Sequence, residues 1–511
     1  MNIRRRSFLL GSTAVGALAM VRAARAQDTA RLKVRFEHDI GNLDPGNRIG
    51  SVEDNIINAC CQTLVRYEPG ATDWTLDAAR EIVQVSDTEF TFELNPGQMF
   101  SGGYGEMTAE DVKFTIDRFI HGDANGNPLA FADDLGAIES VEVTGPYSGR
   151  VRLRHPSPAL WRVGLGDASG AILSKKAVEE LGEAIGTTLV GSGRYELAEW
   201  RPNEGLTLVR REDFAGVNPG HYDEIAVRVI PEEQTAALAF MADETDFSPV
   251  TYEFRDRINA IPGAHVIDQD GTDYTWIGMN VEAGPLSDLR VRQAIRLGID
   301  IDAILAGAYG GDAGRARSML APGILGYWED APSYGYDPVQ ARALLDEAGY
   351  ASVDLTFTSL NDAQSLAVAQ IAQATLAPAG VNLTLNALDP GAFWAMGAND
   401  ASAVLELALV PYSSKTDPGF QTQWFLSGQV GLWNWQRWQS EEFDRLHAEG
   451  NSTMDNARRE EIYIRMQQLL DESATCVWIT HGRHHFACRD WLSPALLTNP
   501  QTWQFENFAP V

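Results

Sequence analysis

Aromatic side chains are the densest chemistry-bearing feature of this chain. Trp394, Tyr412, Trp424, Trp433, Trp435 and Trp438 lie between residues 394 and 438, and Tyr274 and Trp276 sit two apart upstream. Trp and Tyr rings make a rigid apolar wall with a polar edge, suited to sugars, peptide side chains or quaternary ammonium groups. Trp433 and Trp435 would share one face of a strand. Core packing uses the same residue types. The expectation is that two or three of the eight line a cleft and the rest are core, the share a mostly apolar pocket requires.

His481, His484, His485 and Cys488 form the one metal-like cluster. Imidazole and thiolate suit zinc, copper or nickel, but the spacing fits no closed zinc pattern, so a solvated or packed hairpin is the preferred reading and no metal site is expected. In a hairpin centred on Gly482, Cys476 and Cys488 would face one another. Facing strand positions can supply the Cα separation of about 5.5 Å that a disulfide needs. The disulfide and the free thiols both stay open. Cys60 and Cys61, in an apolar helical stretch, read as packing. There is no Gly-x-Ser-x-Gly elbow and no His-Glu-x-x-His, so an exported hydrolase lacks its usual motifs. No cofactor is expected.

The elements that must position these residues alternate between strand and helix. Leu32, Val34 and Phe36 alternate as a half-buried strand does, as do Phe90, Phe92 and Leu94. The first of these strands precedes a helix over 52–64. Thr108-Ala109-Glu110-Asp111 is a capping box opening a helix with Val112, Ile116, Phe119 and Ile120 on one face. Strands are predicted at 206–210, 225–230 and 274–279. Helices are predicted at 289–298, capped by Asp288, from Asp337-Pro338 to Gly349, and at 457–470. The pattern argues for α/β lobes, not a barrel or a bundle.

Arg4-Arg5-Arg6-Ser7-Phe8, an apolar stretch to Val21 and Ala24-Arg25-Ala26 resemble a twin-arginine export signal cleaved before Gln27. The expected location is therefore periplasmic. The formal charge of −30 includes five Arg and no Lys, Asp or Glu in residues 1–26, so their removal leaves −35. Such a surface repels nucleic acid and anionic lipid, and favours solubility before it favours any site.

Five further segments, in order, carry a family resemblance. Thr88 to Arg118, with Leu94-Asn95-Pro96-Gly97 and Met107-Thr108-Ala109-Glu110-Asp111-Val112, is similar to the signature of the extracellular solute-binding proteins of family 5. Leu43-Asp44-Pro45 resembles the family's early turn. Gly191-Ser192-Gly193-Arg194-Tyr195 resembles its Gly-Thr-Gly-Pro-Tyr, with Arg194 in place of Pro. Met279-Asn280 followed by Val291-Arg292-Gln293-Ala294-Ile295 resembles another segment, and Asp417-Pro418 sits where the family often has Asp-Pro.

The resemblance implies three domains: a discontinuous first lobe at 27–65, 188–273 and 490–511, an inserted domain at 66–187, and a second lobe at 274–489. A ligand would lie between the lobes, which close about a hinge. The implied protein is a monomeric solute receptor of an ABC importer that hands its cargo to a membrane permease and performs no chemistry. Peptide receptors of the family place an acid three residues before the Asp of Asp-Pro to hold the α-amine. Here that position is Ser414, with Lys415 beside it. An unmodified peptide N-terminus is therefore disfavoured, since a buried ammonium needs a carboxylate. Peptide-like or opine-like solutes are the first expectation, metal chelates or small cationic solutes the alternative. A hydrolase or a chaperone-like or sensor protein on this scaffold would be of another class. The implied ligand set is Tyr274, Trp276, Asn280, Trp394, Tyr412, Ser414, Asp417, Trp433 and Trp435, with Asp417 also readable as a helix cap.

Overall fold

A computed structural model describes residues 31–69, 73–123, 125–499 and 501–511. The export signal expected at 1–26 lies outside the described residues. Three sheets organise the chain. A seven-stranded mixed sheet runs in the order Tyr195–Arg201, Gly205–Arg210, Glu224–Val229, Arg31–Phe36, Phe247–Val250, Arg483–Arg489, Ala264–Asp270. A five-stranded sheet runs Val381–Leu388, Val353–Leu360, Leu407–Tyr412, Tyr274–Met279, Cys476–Thr480. A four-stranded antiparallel sheet, built from residues 79–94 and 138–153, packs under the helix Ala109–His121.

The central strands of the five-stranded sheet, Leu407–Tyr412 and Tyr274–Met279, are buried on both faces, and the two-residue period of a strand sorts their side chains between two cores. Ile277, Met279, Leu407 and Leu409 join Ile295, Phe357 and Val368 on one side, beneath the helices Leu289–Gly298 and Ala363–Leu376. Tyr274, Trp276, Ala408, Val410 and Tyr412 join Phe425, Trp435, Tyr463 and Met466 on the other. A third core, with Phe36, Tyr195, Tyr222, Phe247 and Phe505, fills the seven-stranded sheet.

The predicted caps are in place. The Thr108 amide donates to Asp111 Oδ2 at 2.9 Å, Asp288 Oδ1 accepts from the Arg290 amide at 2.8 Å, and Asp337 caps Pro338–Glu347. The helix expected over 52–64 is shorter, Ser51–Cys60. Its end is forced by a close approach: the Gly193 amide donates to Cys60 O at 2.7 Å. A Cβ on Gly191 would lie 1.9 Å from Cys60 O, and one on Gly193 2.4 Å from Cys60 C. This contact gives the Gly191-Ser192-Gly193 segment its physical meaning. Arg194, the residue at the usual Pro position, ties Asn218 O at 2.9 Å and Asp77 at 3.1 Å.

The hairpin at Gly482 does not form. Cys476–Thr480 pairs with Tyr274–Met279 in the five-stranded sheet, whereas Arg483–Arg489 lies between two strands of the seven-stranded sheet. The chain crosses between sheets at His481-Gly482 instead of reversing, ahead of the lobe boundary expected after residue 489. Cys488 therefore sits opposite Phe247 and His265, Cys476 opposite Gly278, and both thiols are free, as are those of Cys60 and Cys61. Burial pushes the Cys476, Cys488 and Cys61 thiols up to about 12, which leaves them unreactive.

Candidate functional site

Two short segments join the two large sheets. Residues 271–273 lead from Ala264–Asp270 to Tyr274–Met279, and His481-Gly482 lead back. They lie side by side: the Gly271 amide donates to Gly482 O at 3.1 Å, and His481 Nδ1 meets Asp273 O at 2.9 Å. Burial holds His481 down at about 4, so the ring is neutral near pH 7. A histidine depressed from about 6.5 contributes stability that is complete above the unfolded value and is lost as pH falls from about 6.5 toward 4, up to about 3 kcal/mol. His481→Gln should flatten that slope. Urea unfolding of both proteins at pH 7 and pH 4.5 measures it, and equal slopes would contradict the buried neutral ring.

The structure separates the expected aromatics into two groups. Tyr274, Trp276 and Trp435 are buried. Tyr274 and Trp276 stack at 5.3 Å, and Trp276 also meets Tyr412 at 5.0 Å and Phe425 at 5.4 Å. Trp435 packs on Phe393 at 5.1 Å and donates from Nε1 to Leu432 O at 3.0 Å. Trp394 and Trp433 are half-buried on the rim of the same cluster. None of these five borders any of the cavities described below. Asn280 is buried and donates to Leu405 O at 2.7 Å, holding a turn. Tyr412, by contrast, borders a cavity of about 600 Å³ beside the crossing segments, together with Glu37, Asp273, Asp312, His484 and His485.

A second group of cavities surrounds the loop after Leu407–Tyr412. One, of about 250 Å³, lies where three parts of the chain meet. Arg48 precedes the helix Ser51–Cys60 and Asp54 lies in its first turn, Tyr67 and Asp167 belong to the segment around the four-stranded sheet, and Ser414 and Thr416 to the loop. Two larger ones, about 530 and 540 Å³, open on either side of Asp417.

The charges at this meeting point are tightly coupled. Arg48 is buried and pairs with Asp54. It also donates to Pro45 O at 2.6 Å and Ser169 Oγ at 2.9 Å, and its guanidinium lies 3.9 Å over the Phe131 ring. Ser169 Oγ donates to Asp134 Oδ2 at 2.7 Å. Lys415 crosses from the loop to pair with Asp134, its ammonium between the Phe131 and Phe420 rings at 5.6 and 5.4 Å. The Ser414 amide donates to Asp273 Oδ1 at 3.0 Å, tying the loop to a crossing segment. Burial, then repulsion from Asp167, pushes Asp54 up to about 7 against the pull of Arg48, and burial also raises Asp167.

Asp417 borders both larger cavities and is also tied into the protein. It caps Pro418–Thr422 by accepting from the Gly419 amide at 2.9 Å, and it takes Arg459 Nη2 at 3.0 and 2.8 Å, with both side chains buried. The histidines disperse. His485 bridges Asp268 at 2.7 Å and Asp312 at 2.6 Å, whereas His481 faces a backbone carbonyl. Among the described residues no group of three or more His, Cys, Asp or Glu side chains is arranged to hold a metal ion. Arg48, Asp54, Asp134 and Asp167 were not legible in the sequence. Asp54 reads as an ordinary acid in a first helical turn, and no spacing links residues 48, 134, 167 and 415.

Residues 71–431 match the family described as bacterial extracellular solute-binding proteins, family 5 Middle. The chain belongs to that family. A glutathione-binding protein, GsiB, from Escherichia coli strain K12 is 25% identical over 475 residues, which is 90% of each chain. The DppA periplasmic binding protein of Helicobacter pylori, solved with the peptide STSA, superposes with a TM-score of 0.75 at 21% identity over 95% of this chain and 99% of that one. NikA from Brucella suis, solved with Fe(III)-EDTA, gives 0.80 at 21% identity over 94% and 100%. These superpositions establish the α/β two-lobed fold of the family. No helix among the described residues is long and apolar enough to cross a membrane.

Proposed function

We propose that this protein is the periplasmic receptor subunit of an ABC-type importer. It captures a peptide-like or opine-like solute between its lobes and presents the closed form to a membrane permease. The observation that carries this reading is the 250 Å³ cavity lined from both lobes and from the inserted segment, flanked by two larger ones between the inserted segment and the second lobe, while only two short segments join the large sheets. Such a link lets the lobes rotate, and a solute with greater affinity for the closed state drives closure. The relatives fit: GsiB is named for glutathione, and DppA was solved with a peptide. A chelate receptor is the second reading, favoured by the likeness to NikA with Fe(III)-EDTA. In the proposed site Tyr412, Ser414 and the Asp54–Asp167 pair meet solute, and Tyr274, Trp276, Asn280, Asp417 and Trp435 support the walls. The protein works as a monomer and carries out no reaction on its cargo.

Native mass spectrometry of the protein as purified, followed by release of any bound molecule, tests the reading. A peptide-like adduct supports it, and turnover of generic peptide, ester or glycoside substrates would oppose it. The Lys415–Asp134 pair joins the loop to the inserted segment, so it acts in closure. Lys415→Met should expand the solute-free protein in small-angle scattering and weaken solute about tenfold, roughly 1.4 kcal/mol. Unchanged dimensions and affinity would remove Lys415 from the closing contacts.

A further inference from the structure

Every cation at the small cavity is committed to the protein itself. Arg48 is shared among Asp54, Asp134, Ser169 and Pro45 O, Lys415 is held by Asp134, and Arg162 lies over the Tyr67 ring at 4.1 Å. Acceptors are left over. Among the described residues no donor reaches Asp54 Oδ2, and no cationic side chain is paired with Asp167. A third observation is independent of the carboxylates. Ser414 is more than nine-tenths buried, borders the same cavity, and its Oγ has no hydrogen-bond partner. Asp54, Asp134 and Asp167 face Arg48, Lys415 and Arg162, so the charges balance in number, and what is left over is the unpaired carboxylate oxygens of Asp54 and Asp167. Buried carboxylate oxygens are costly unless paired.

We infer that the solute carries a primary ammonium or guanidinium group, which docks in the 250 Å³ cavity against Asp54 and Asp167 with Ser414 Oγ as the third acceptor. This rests on the reading of the interlobe cavities as the solute site. It puts the amine-binding carboxylates on the side facing the loop and not on the loop, where Ser414 and Lys415 stand. A quaternary ammonium is disfavoured, because it has no N–H to donate to these oxygens. Burial first, then the neighbouring Asp167, raises Asp54 to about 7, so at pH 8 it is ionised and able to meet a cation.

Isothermal titration at pH 8 with the dipeptide Ala-Lys, agmatine, doubly N-acetylated Ala-Lys, choline and glutarate tests the assignment. Ala-Lys or agmatine should bind, acetylation should weaken Ala-Lys at least tenfold, and Asp54→Asn or Asp167→Asn should weaken the bound cation at least tenfold. The acetylation comparison needs no variant to fold. If glutarate, choline or the acetylated peptide binds as tightly as the amines, or both variants keep full affinity, the cation assignment is overturned while solute capture stands. If none of the probes binds and no small molecule is released from the purified protein, the solute-receptor reading fails, and this inference with it.

Discussion

Asp417→Ala is expected to lose about 3–5 kcal/mol of unfolding free energy. The carboxylate is 5% exposed and faces an Arg459 side chain that is 4% exposed, at 3.0 and 2.8 Å. Removing it strands a buried guanidinium, whose Nε is already committed to Gly450 O at 2.9 Å. It also removes the acceptor for the Gly419 amide at the start of Pro418–Thr422, worth about 1 kcal/mol in a typical cap. Asp417→Asn restores the acceptor without the charge and should recover only the smaller part. Urea unfolding of the two variants decides the matter. Wild-type stability with lost solute binding would move Asp417 out of the scaffold and into direct contact with solute.

Trp276→Ala is expected to cost about 3–5 kcal/mol as well, through the cavity that remains when a buried indole is removed. The ring is 1% exposed and closes the centre of an aromatic cluster, with Tyr274, Tyr412, Phe425 and Trp478 within 5.6 Å. The effect should fall on stability, with solute affinity of the remaining folded protein changed less than tenfold. Thermal unfolding and titration on one preparation separate the two. A variant of native stability that no longer binds solute would place this indole at the cleft wall.

Elements whose information is local were readable from the sequence. Asp288 and Asp337 sit at helix starts because their carboxylates accept amides of the first turn, and at Thr108 the Asp111 carboxylate reaches back to the Thr108 amide, so a few residues suffice to recognise them. The strand Tyr274–Met279 was readable for the same reason. The distribution of its side chains over two buried faces was not, because each face is completed by helices far along the chain. The aromatic run at 394–438 was visible as a cluster, but packing and binding use the same rings. Only the positions of Phe393, Phe425 and Tyr463 make Trp276 and Trp435 interior.

Composition and order of segments determined the α/β class and the family. The tertiary structure decided where the chain crosses between sheets. Cys476 and Cys488 are twelve positions apart in a segment that reads as a hairpin, yet the two strands hydrogen-bond to different sheets, so the thiols never meet. It also decided the charge at the cleft. Arg48, Asp54, Asp134, Asp167 and Lys415 are scattered over more than 350 residues. Their coupling depends on burial and distance, and neither exists until the inserted segment is folded against both lobes.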